Sequence, residues 1–206
     1  VYTIDRWCPL ATTNSKFNVG RNLNNVTPPV GFSNYLGCQT SSAVTPGATD
    51  SYSMIQWIEG YNIADLGFGT ANAKTVTLSF QVYSSLTGTF SGSIGGYNLS
   101  TFRSYVFSYS IPVANTWTTV SVTIPGDTTT FAYGTTNTYG IFVIFDLGSG
   151  SSVRTAAGSW NSGLYYGAPG AVSPISTLNA TWYVTGVQFE QGSIATSFDF
   201  RPYGME

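Results

Sequence analysis

Apolar and polar residues alternate with a period of two along much of this chain. In residues 75–82, Val, Leu, Phe and Val occupy every second position, and Thr, Ser and Gln lie between them. Because successive side chains of a β-strand point to opposite faces, this pattern predicts an antiparallel strand with one face on a core and the other in water. The same alternation at 102–111 and 119–124 predicts two further strands of this kind.

Two segments carry apolar residues on both faces of the predicted strand. Residues 139–147 contain a continuous apolar run, Ile-Phe-Val-Ile-Phe. In residues 51–58, methionine and isoleucine side chains share one face, whereas isoleucine and Trp57 share the other. Such strands are typical of the centre of a sheet that is covered on both sides, or of a contact between subunits.

Strand-like sequence also occurs at 2–7, 35–40, 87–95 and 182–190, and we expect residues 87–95 to form a hairpin. Counted together, the chain carries about eight to ten short strands separated by turn residues, the signature of a sandwich. We therefore predict an all-β fold, an antiparallel β-sandwich of the jelly-roll type, formed by residues 1–206 as a single domain. The order of the later strands is similar to that of jelly-roll carbohydrate-binding modules.

Two long segments, residues 14–33 and 148–178, show no periodicity and are rich in Gly, Ser, Asn and Pro. We predict that both are loops. Loops of this length in a compact domain usually take part in function or in assembly.

The composition is neutral and aromatic. Charged residues make up 8% of the chain, against roughly a quarter in an average protein, while aromatic residues reach 16%. A net charge of −2 with seven Lys plus Arg argues against nucleic-acid binding, which depends on clustered cations. No apolar run is long enough to predict insertion into a membrane. A neutral surface rich in hydroxyl groups suits tight assemblies or contact with neutral glycans.

The ends and the two cysteines add two expectations. The chain opens at Val1, already in strand-like sequence, so we expect it to be a piece of a longer polypeptide.

Cys8 and Cys38 either form one disulfide or remain thiols, and assembly in a bacterial cytosol favours thiols.

Three segments at the start, middle and end of the chain form a distinctive set. They are Tyr-Thr-Ile-Asp-Arg-Trp at 2–7, the block at 58–70 that leads into 74–80, and the ending at 186–196 that runs on to Arg-Pro-Tyr-Gly at 201–204. Together they resemble a recurrent family of phage and prophage virion proteins, found on tail fibres and other exposed parts of the particle.

That resemblance implies a jelly-roll head, frequently trimeric, at or near a fibre tip. It also implies that this chain is a C-terminal fragment of a longer virion protein, assembled in the cytoplasm of a bacterial host and located in the tail or on the outer surface. The family carries no residue pattern for catalysis or for sugar contact.

The sequence offers little for catalysis or metal binding. It contains no histidine, which removes Ser-His and Cys-His mechanisms and most transition-metal chemistry. Glu59 and Asp65 lie close in sequence, and a glycosidase needs two carboxyl groups, but this block is rich in turns, where such residues usually cap the backbone. We therefore assign no catalytic residue, no enzyme activity, no metal ligand and no cofactor. A structural calcium ion has only weak support, because the acidic residues are scattered.

Aromatic and amide side chains in the predicted loops are the candidates for ligand binding. Trp and Tyr rings stack on the C–H faces of sugars, and Asn binds their hydroxyl groups. This chemistry selects Trp160, Asn161, Tyr165, Tyr166 and Tyr61. Aromatic side chains are equally enriched at protein interfaces, so a contact between subunits explains the same residues.

Two other groups of residues have structural interpretations. We expect Trp7, Trp57, Trp117 and Trp182 in or beside strands of the core. Arg103, Arg154 and Arg201 are rare charges in a neutral protein, and we expect them to pair with carboxylates across a subunit boundary.

These observations favour a homotrimeric head domain of a phage tail fibre or receptor-binding protein. Its expected partners are other virion proteins and a polysaccharide or glycan on the host surface, which it would bind without catalysis. Two alternatives stay open at this point. One is a capsid decoration, cement or fibre-trimerisation protein with no ligand, and the other is a glycan depolymerase.

Overall fold

The computed structural model describes residues 6–200 of the 206-residue chain. Within this range it contains eleven β-strands and five short 3₁₀ turns. The strands are β1 (Cys8–Ala11), β2 (Phe17–Arg21), β3 (Leu36–Thr40), β4 (Ser51–Glu59), β5 (Val76–Ser84), β6 (Gly88–Asn98), β7 (Thr101–Ile111), β8 (Thr118–Ile124), β9 (Tyr139–Ser149), β10 (Trp160–Ser162) and β11 (Thr181–Gln191). The 3₁₀ turns are Leu23–Asn25, Gly60–Asn62, Ala64–Leu66, Ser151–Val153 and Pro174–Ser176.

The strands form two sheets, and each pair of neighbouring strands is antiparallel. Sheet A has six strands in the order β1-β4-β9-β6-β7-β10, and sheet B has five in the order β2-β3-β11-β5-β8. Consecutive strands therefore often lie in different sheets, as in a jelly roll. The predicted all-β antiparallel sandwich is confirmed.

The main core lies between the two sheets and is rich in aromatic rings. Phe145 of β9 occupies its centre, with its ring centroid 5.0 Å from that of Phe80 on β5 and 5.0 Å from that of Trp182 on β11. Trp7 packs on the same ring at 5.4 Å. The core positions of Trp7 and Trp182, and the alternation predicted for residues 75–82, are thus confirmed.

A second, smaller apolar cluster lies on the outer face of sheet A. Ile55 of β4 and Phe142 and Ile144 of β9 are buried there together with Tyr166. This cluster explains why β4 and β9 carry apolar residues on both faces: one face packs on the main core and the other is covered from outside. The two-sided burial predicted for β9 is confirmed.

Three predicted elements differ from the structure. Residues 14–33 and 148–178 are not continuous loops, because β2 lies in the first segment and the three-residue β10 in the second. Residues 87–95 are not a hairpin: residues 88–95 belong to the single strand β6, whose hairpin partner along its whole length is β7. The strand predicted at 2–7 lies mostly outside the described residues, and β1 begins only at Cys8.

The two cysteines lie in different layers of the sandwich. Cys8 pairs with Ile55 at the outer face of sheet A, whereas Cys38 is buried in the core between the sheets. Both are free thiols, the one of the two predicted alternatives that the sequence analysis favoured.

Candidate functional site

The segment that contains most of the predicted ligand residues covers the outer face of sheet A. Val153, Leu164 and Tyr166 lie on the cluster formed by Ile55, Phe142 and Ile144. Tyr166 is only 8% exposed, and its backbone N–H donates to the carbonyl of Val153 at 2.9 Å. Its ring is therefore part of the packing of this face and is not available on an open surface.

Trp160 and Asn161 point to opposite sides of sheet A, because they are neighbours on β10. Trp160 pairs with Tyr105 and turns towards the space between the sheets, where its ring lies 5.7 Å from Phe68. Its indole N–H donates to the carbonyl of Pro125 at 2.7 Å. Asn161 takes the outer side, and its amide donates to the carbonyl of Ser159 at 3.0 Å. Trp160 thus packs against the main core at the edge of sheet A formed by β10.

The remaining two candidates also lie apart from each other. Tyr165 is half-buried, and its backbone N–H donates to Ser104 Oγ at 3.2 Å. Tyr61 is 66% exposed in the 3₁₀ turn that follows β4. The structure therefore does not unite the residues predicted at 160–166 into an open binding surface, and among the five candidates Tyr61 has the most accessible ring.

An open aromatic surface does exist at one end of the outer face of sheet A. Trp57, near the end of β4, and Tyr139, at the start of β9, lie with ring centroids 4.5 Å apart. Trp57 also rests on Phe142 at 5.4 Å, which fixes its ring from below. Tyr139 is 55% exposed, so its ring is accessible from solvent.

The same end of the sheet carries two more aromatic side chains. Tyr97 of β6 and Phe102 of β7 are directly opposite each other, and their ring centroids are 4.8 Å apart. Both are half-buried, and the Tyr97 hydroxyl donates to the carbonyl of Leu99 in the connecting turn. We call Trp57, Tyr139, Tyr97 and Phe102 the aromatic platform. Its four strands, in the order β4-β9-β6-β7, span three inter-strand gaps of about 4.8 Å each, or roughly 14 Å.

Polar groups surround the platform on the side of β4. Glu59 lies opposite Tyr139 in the sheet, and its side chain is exposed. Asn62 is exposed in the following turn. Backbone hydrogen bonds from Gly60 to Thr138 and from Tyr61 to the carbonyl of residue 136 hold this turn against the start of β9. Exposed rings beside carboxylate and amide groups can stack on an apolar face and bind hydroxyl groups at its edge.

Sequence reasoning did not select Trp57 and Tyr139 as candidate site residues. Trp57 was expected in the core, yet it lies on the outer face and is half-buried. The alternation of β4 already indicated this orientation, because Trp57 lies on the other face of the strand from the core-facing Met54 and Ile58. Trp117 is also outside the core: its ring packs against Tyr35 and Tyr83 on the outer face of sheet B.

The two described arginines that were expected to reach across a subunit boundary pair within the chain instead. Arg103 binds Asp127 and Arg154 binds Asp146, with N–O distances of 2.8 Å and 3.1 Å, and all four side chains are largely buried. Asp127 lies in the loop after β8 and Arg154 in the segment after β9, and each is brought to its partner on sheet A by the folding of that segment. Arg201 lies outside the described residues.

The surroundings shift the pKa values of the two buried carboxylates, Asp127 and Asp146, in opposite directions. Burial alone would raise the pKa of Asp127, but hydrogen bonds from Arg103, Tyr133 and Thr129 outweigh it and lower that pKa. For Asp146, burial is the larger effect, and it raises the pKa despite the neighbouring Arg154. Both carboxylates are thus held by hydrogen bonds and an arginine within the fold.

The described part of the chain offers no obvious metal centre. Among residues 6–200, no three His, Cys, Asp or Glu side chains come together in a way that could hold a metal ion. The expectations of no cofactor and of weak support for calcium stay predictions. No helix within the same residues is long and apolar enough to cross a membrane.

No protein-family model and no curated protein sequence matches this chain significantly. Solved structures do match its fold. The enzymatically active domain of tailspike protein 4 from bacteriophage CBA120 aligns with 92% of this chain at a TM-score of 0.51 and 14% identity. The present chain corresponds to only 20% of the length of that tailspike chain.

Carbohydrate-binding modules also resemble the chain, at lower scores. The family 11 module from Clostridium thermocellum, solved with a β-1,3-1,4-mixed-linked tetrasaccharide, aligns with 91% of this chain and 89% of its own length, at a TM-score of 0.45 and 10% identity. The CBM22-1–GH10 modules of endo-1,4-β-D-xylanase 10B from the same organism, solved with xylohexaose, align with 96% of this chain and 28% of their own length, at a TM-score of 0.49 and 13% identity. Likeness at such identities concerns the fold alone.

Proposed function

We propose that this chain is a glycan-binding jelly-roll domain of a phage tail fibre or receptor-binding protein, and that it recognises a host-surface glycan without catalysis. The observation that carries the proposal is the aromatic platform. Trp57 and Tyr139 form an accessible ring pair, supported from below by Phe142, with the exposed Glu59 beside it. Rigid exposed rings beside polar groups are the usual means by which proteins hold sugars.

The phage assignment rests on two observations. The segments at 2–7, 58–80 and 186–204 resemble phage virion proteins, and the fold is similar to that of a phage tailspike domain. The neutral composition supports an uncharged glycan as the ligand, because few cations are available to bind an acidic one. A virion location, a homotrimer and contacts with other virion proteins belong to the same proposal.

Avidity would supply the strength of attachment. A shallow platform with few hydrogen-bonding groups binds weakly, whereas several copies on one particle raise the overall affinity by multivalency. A trimeric head presents three identical platforms, so one fibre could engage three glycans of the same surface.

The proposal is tested by screening the purified chain against a glycan array and against envelope polysaccharides from candidate bacterial hosts. We expect saturable binding to at least one uncharged glycan, and loss of that binding after periodate oxidation of the sugar. Release of reducing ends from the bound polysaccharide would contradict the non-catalytic part of the proposal. Binding to no glycan in either screen would contradict all of it.

A purely structural role in the virion is the second candidate, and two observations favour it. The aromatics at 160–166 pack within the chain, and large apolar side chains are exposed elsewhere, including Val30 and Ile194. Light scattering on a size-exclusion column separates the possibilities. A mass three times the 22.0 kDa of one chain supports the trimeric head, and a trimer that binds no glycan supports the structural role. A monomer would overturn the trimer.

A further inference from the structure

A second segment covers the middle of the outer face of sheet A, directly beside the aromatic platform. Residues 150–168 cross this face from β7 to the far ends of β4 and β9, and we call them the covering segment. Ile144 is fully buried beneath it, and Ser91 and Ser93 of β6 are fully buried although they face outward. A glycan therefore cannot lie along the length of these strands.

The covering segment is fixed to the sheet at both of its ends. Near its start, Arg154 binds the carboxylate of Asp146 at 3.1 Å and the hydroxyl of Ser149 at 3.0 Å. Near its end, the backbone N–H of Ala168 donates to Ser91 Oγ at 3.0 Å. The hydroxyl of Ser104 on β7 donates to the carbonyl of Gly163 at 2.7 Å.

These contacts make the covering segment a permanent part of the sheet. Opening the covering segment would separate Arg154 from the buried carboxylate of Asp146, and breaking such a buried ion pair is strongly unfavourable. The same segment packs Leu164 and Tyr166 on the apolar cluster beneath, so opening would also expose that cluster to water. Along these strands, the surface available to a glycan bound at the platform therefore ends at the covering segment.

We propose that the platform takes a short glycan determinant rather than an extended polysaccharide chain, an inference that rests on the proposed function. The sugar would run across the strands from Trp57 to Phe102. The two outermost strands of the platform, β4 and β7, lie roughly 14 Å apart, which is the length of about three sugar units. Sugars beyond that length have no part of the open platform to contact, so affinity stops increasing once the platform is filled.

The test measures affinity as a function of glycan length by isothermal titration calorimetry. The probes are size-fractionated oligosaccharides of about one to eight units, prepared by partial hydrolysis of the envelope polysaccharide that binds best in the screen. We expect the dissociation constant to fall with length up to about three units and to remain within about twofold beyond that. A dissociation constant that keeps falling to six units or more would overturn the inference and leave the glycan-binding function intact.

Two variants make the test independent of overall stability. Tyr97→Ala removes one ring of the Tyr97–Phe102 pair at one end of the platform. We expect it to weaken binding of the three-unit oligosaccharide by severalfold while leaving binding of the two-unit oligosaccharide unchanged. Tyr83→Ala, on the outer face of sheet B, is the matched control and should leave every length unchanged. An equal loss at all lengths in Tyr97→Ala would contradict the inference. Failure of the wild type to bind any length would contradict the proposed function itself.

Discussion

The guanidinium of Arg103 forms two hydrogen bonds, each 2.8 Å long, with the carboxylate of Asp127. This bidentate pair links β7 of sheet A to the loop that follows β8 of sheet B. Tyr133 donates a third hydrogen bond to the same carboxylate at 2.8 Å, and Arg103 also contacts the hydroxyl of Ser162 on β10 at 3.3 Å. One buried pair therefore holds together an edge of both sheets.

We predict that Asp127→Asn strongly destabilises the fold. The substitution keeps the shape of the side chain but leaves the buried charge of Arg103 without its counterion, which costs roughly 3–5 kcal/mol in the free energy of unfolding. Urea denaturation followed by tryptophan fluorescence measures the change. Asp65→Asn, at an exposed turn, is the control and should change stability by less than about 0.5 kcal/mol. Equal effects of the two substitutions would contradict the structural role of the pair.

The same pair should make stability depend on pH in the acid range. The pKa of Asp127 is lower in the folded protein than its ordinary value of 3.8, so its contribution to stability is complete above that value. As the pH falls through the lower folded pKa, the carboxylate becomes protonated and the contribution is lost. We expect the difference in unfolding free energy between wild type and Asp127→Asn to shrink between pH 4 and pH 2. A constant difference over this range would show that Asp127 does not titrate as described.

Gly69 provides a second test of how the loops are held. Its φ is +82°, its backbone N–H donates to the carbonyl of Asp127 at 2.7 Å, and an added Cβ would overlap the carbonyl oxygen of Phe131. We predict that Gly69→Ala destabilises the fold by at least about 3 kcal/mol. Gly158 has φ +98° with open space around it, so Gly158→Ala isolates the backbone strain, about 1–2 kcal/mol. Thermal unfolding that ranks the two variants equally would contradict the predicted overlap.

The buried thiol of Cys38 should be protected from reagents in the folded protein. Burial raises its pKa, which removes the reactive thiolate, and surrounding core side chains block access. In Cys8→Ser, we expect no reaction with an aromatic disulfide reagent under native conditions and one reactive thiol per chain in guanidinium chloride. Rapid native labelling would place Cys38 outside the core.

Alternation was sufficient to predict the strands with regular apolar faces. Val76, Leu78 and Phe80 are buried as their spacing indicated, and the unbroken apolar run in β9 correctly indicated a strand covered on both sides. The sequence of β6, Gly-Thr-Phe-Ser-Gly-Ser-Ile-Gly-Gly-Tyr-Asn, contains so many small and turn-forming residues that it resembled a hairpin. It is a strand because β7 and β9 pair with it, a tertiary effect that local sequence does not encode.

The candidate binding residues were harder to predict, because the orientation of a side chain depends on long-range strand pairing. Trp160 looked accessible in a Gly- and Ser-rich stretch, yet its pairing with Tyr105 turns the ring inward. Trp57 looked buried in an apolar strand, yet its ring lies at the open end of the outer face. The arginine partners Asp127 and Asp146 were likewise concealed, since loop folding and not sequence spacing brings each pair together.

Glycan binding by wild type, Tyr139→Ala and Tyr83→Ala tests the central claim most directly. Both substitutions remove a tyrosine ring from the outer face of a sheet, but only Tyr139 belongs to the aromatic platform. Using the glycan selected by the screen, we predict that Tyr139→Ala weakens binding at least about tenfold, or roughly 1.4 kcal/mol, and that Tyr83→Ala binds as wild type does. Wild-type affinity in Tyr139→Ala, with or without a loss in Tyr83→Ala, would contradict the assignment of the platform as the binding site.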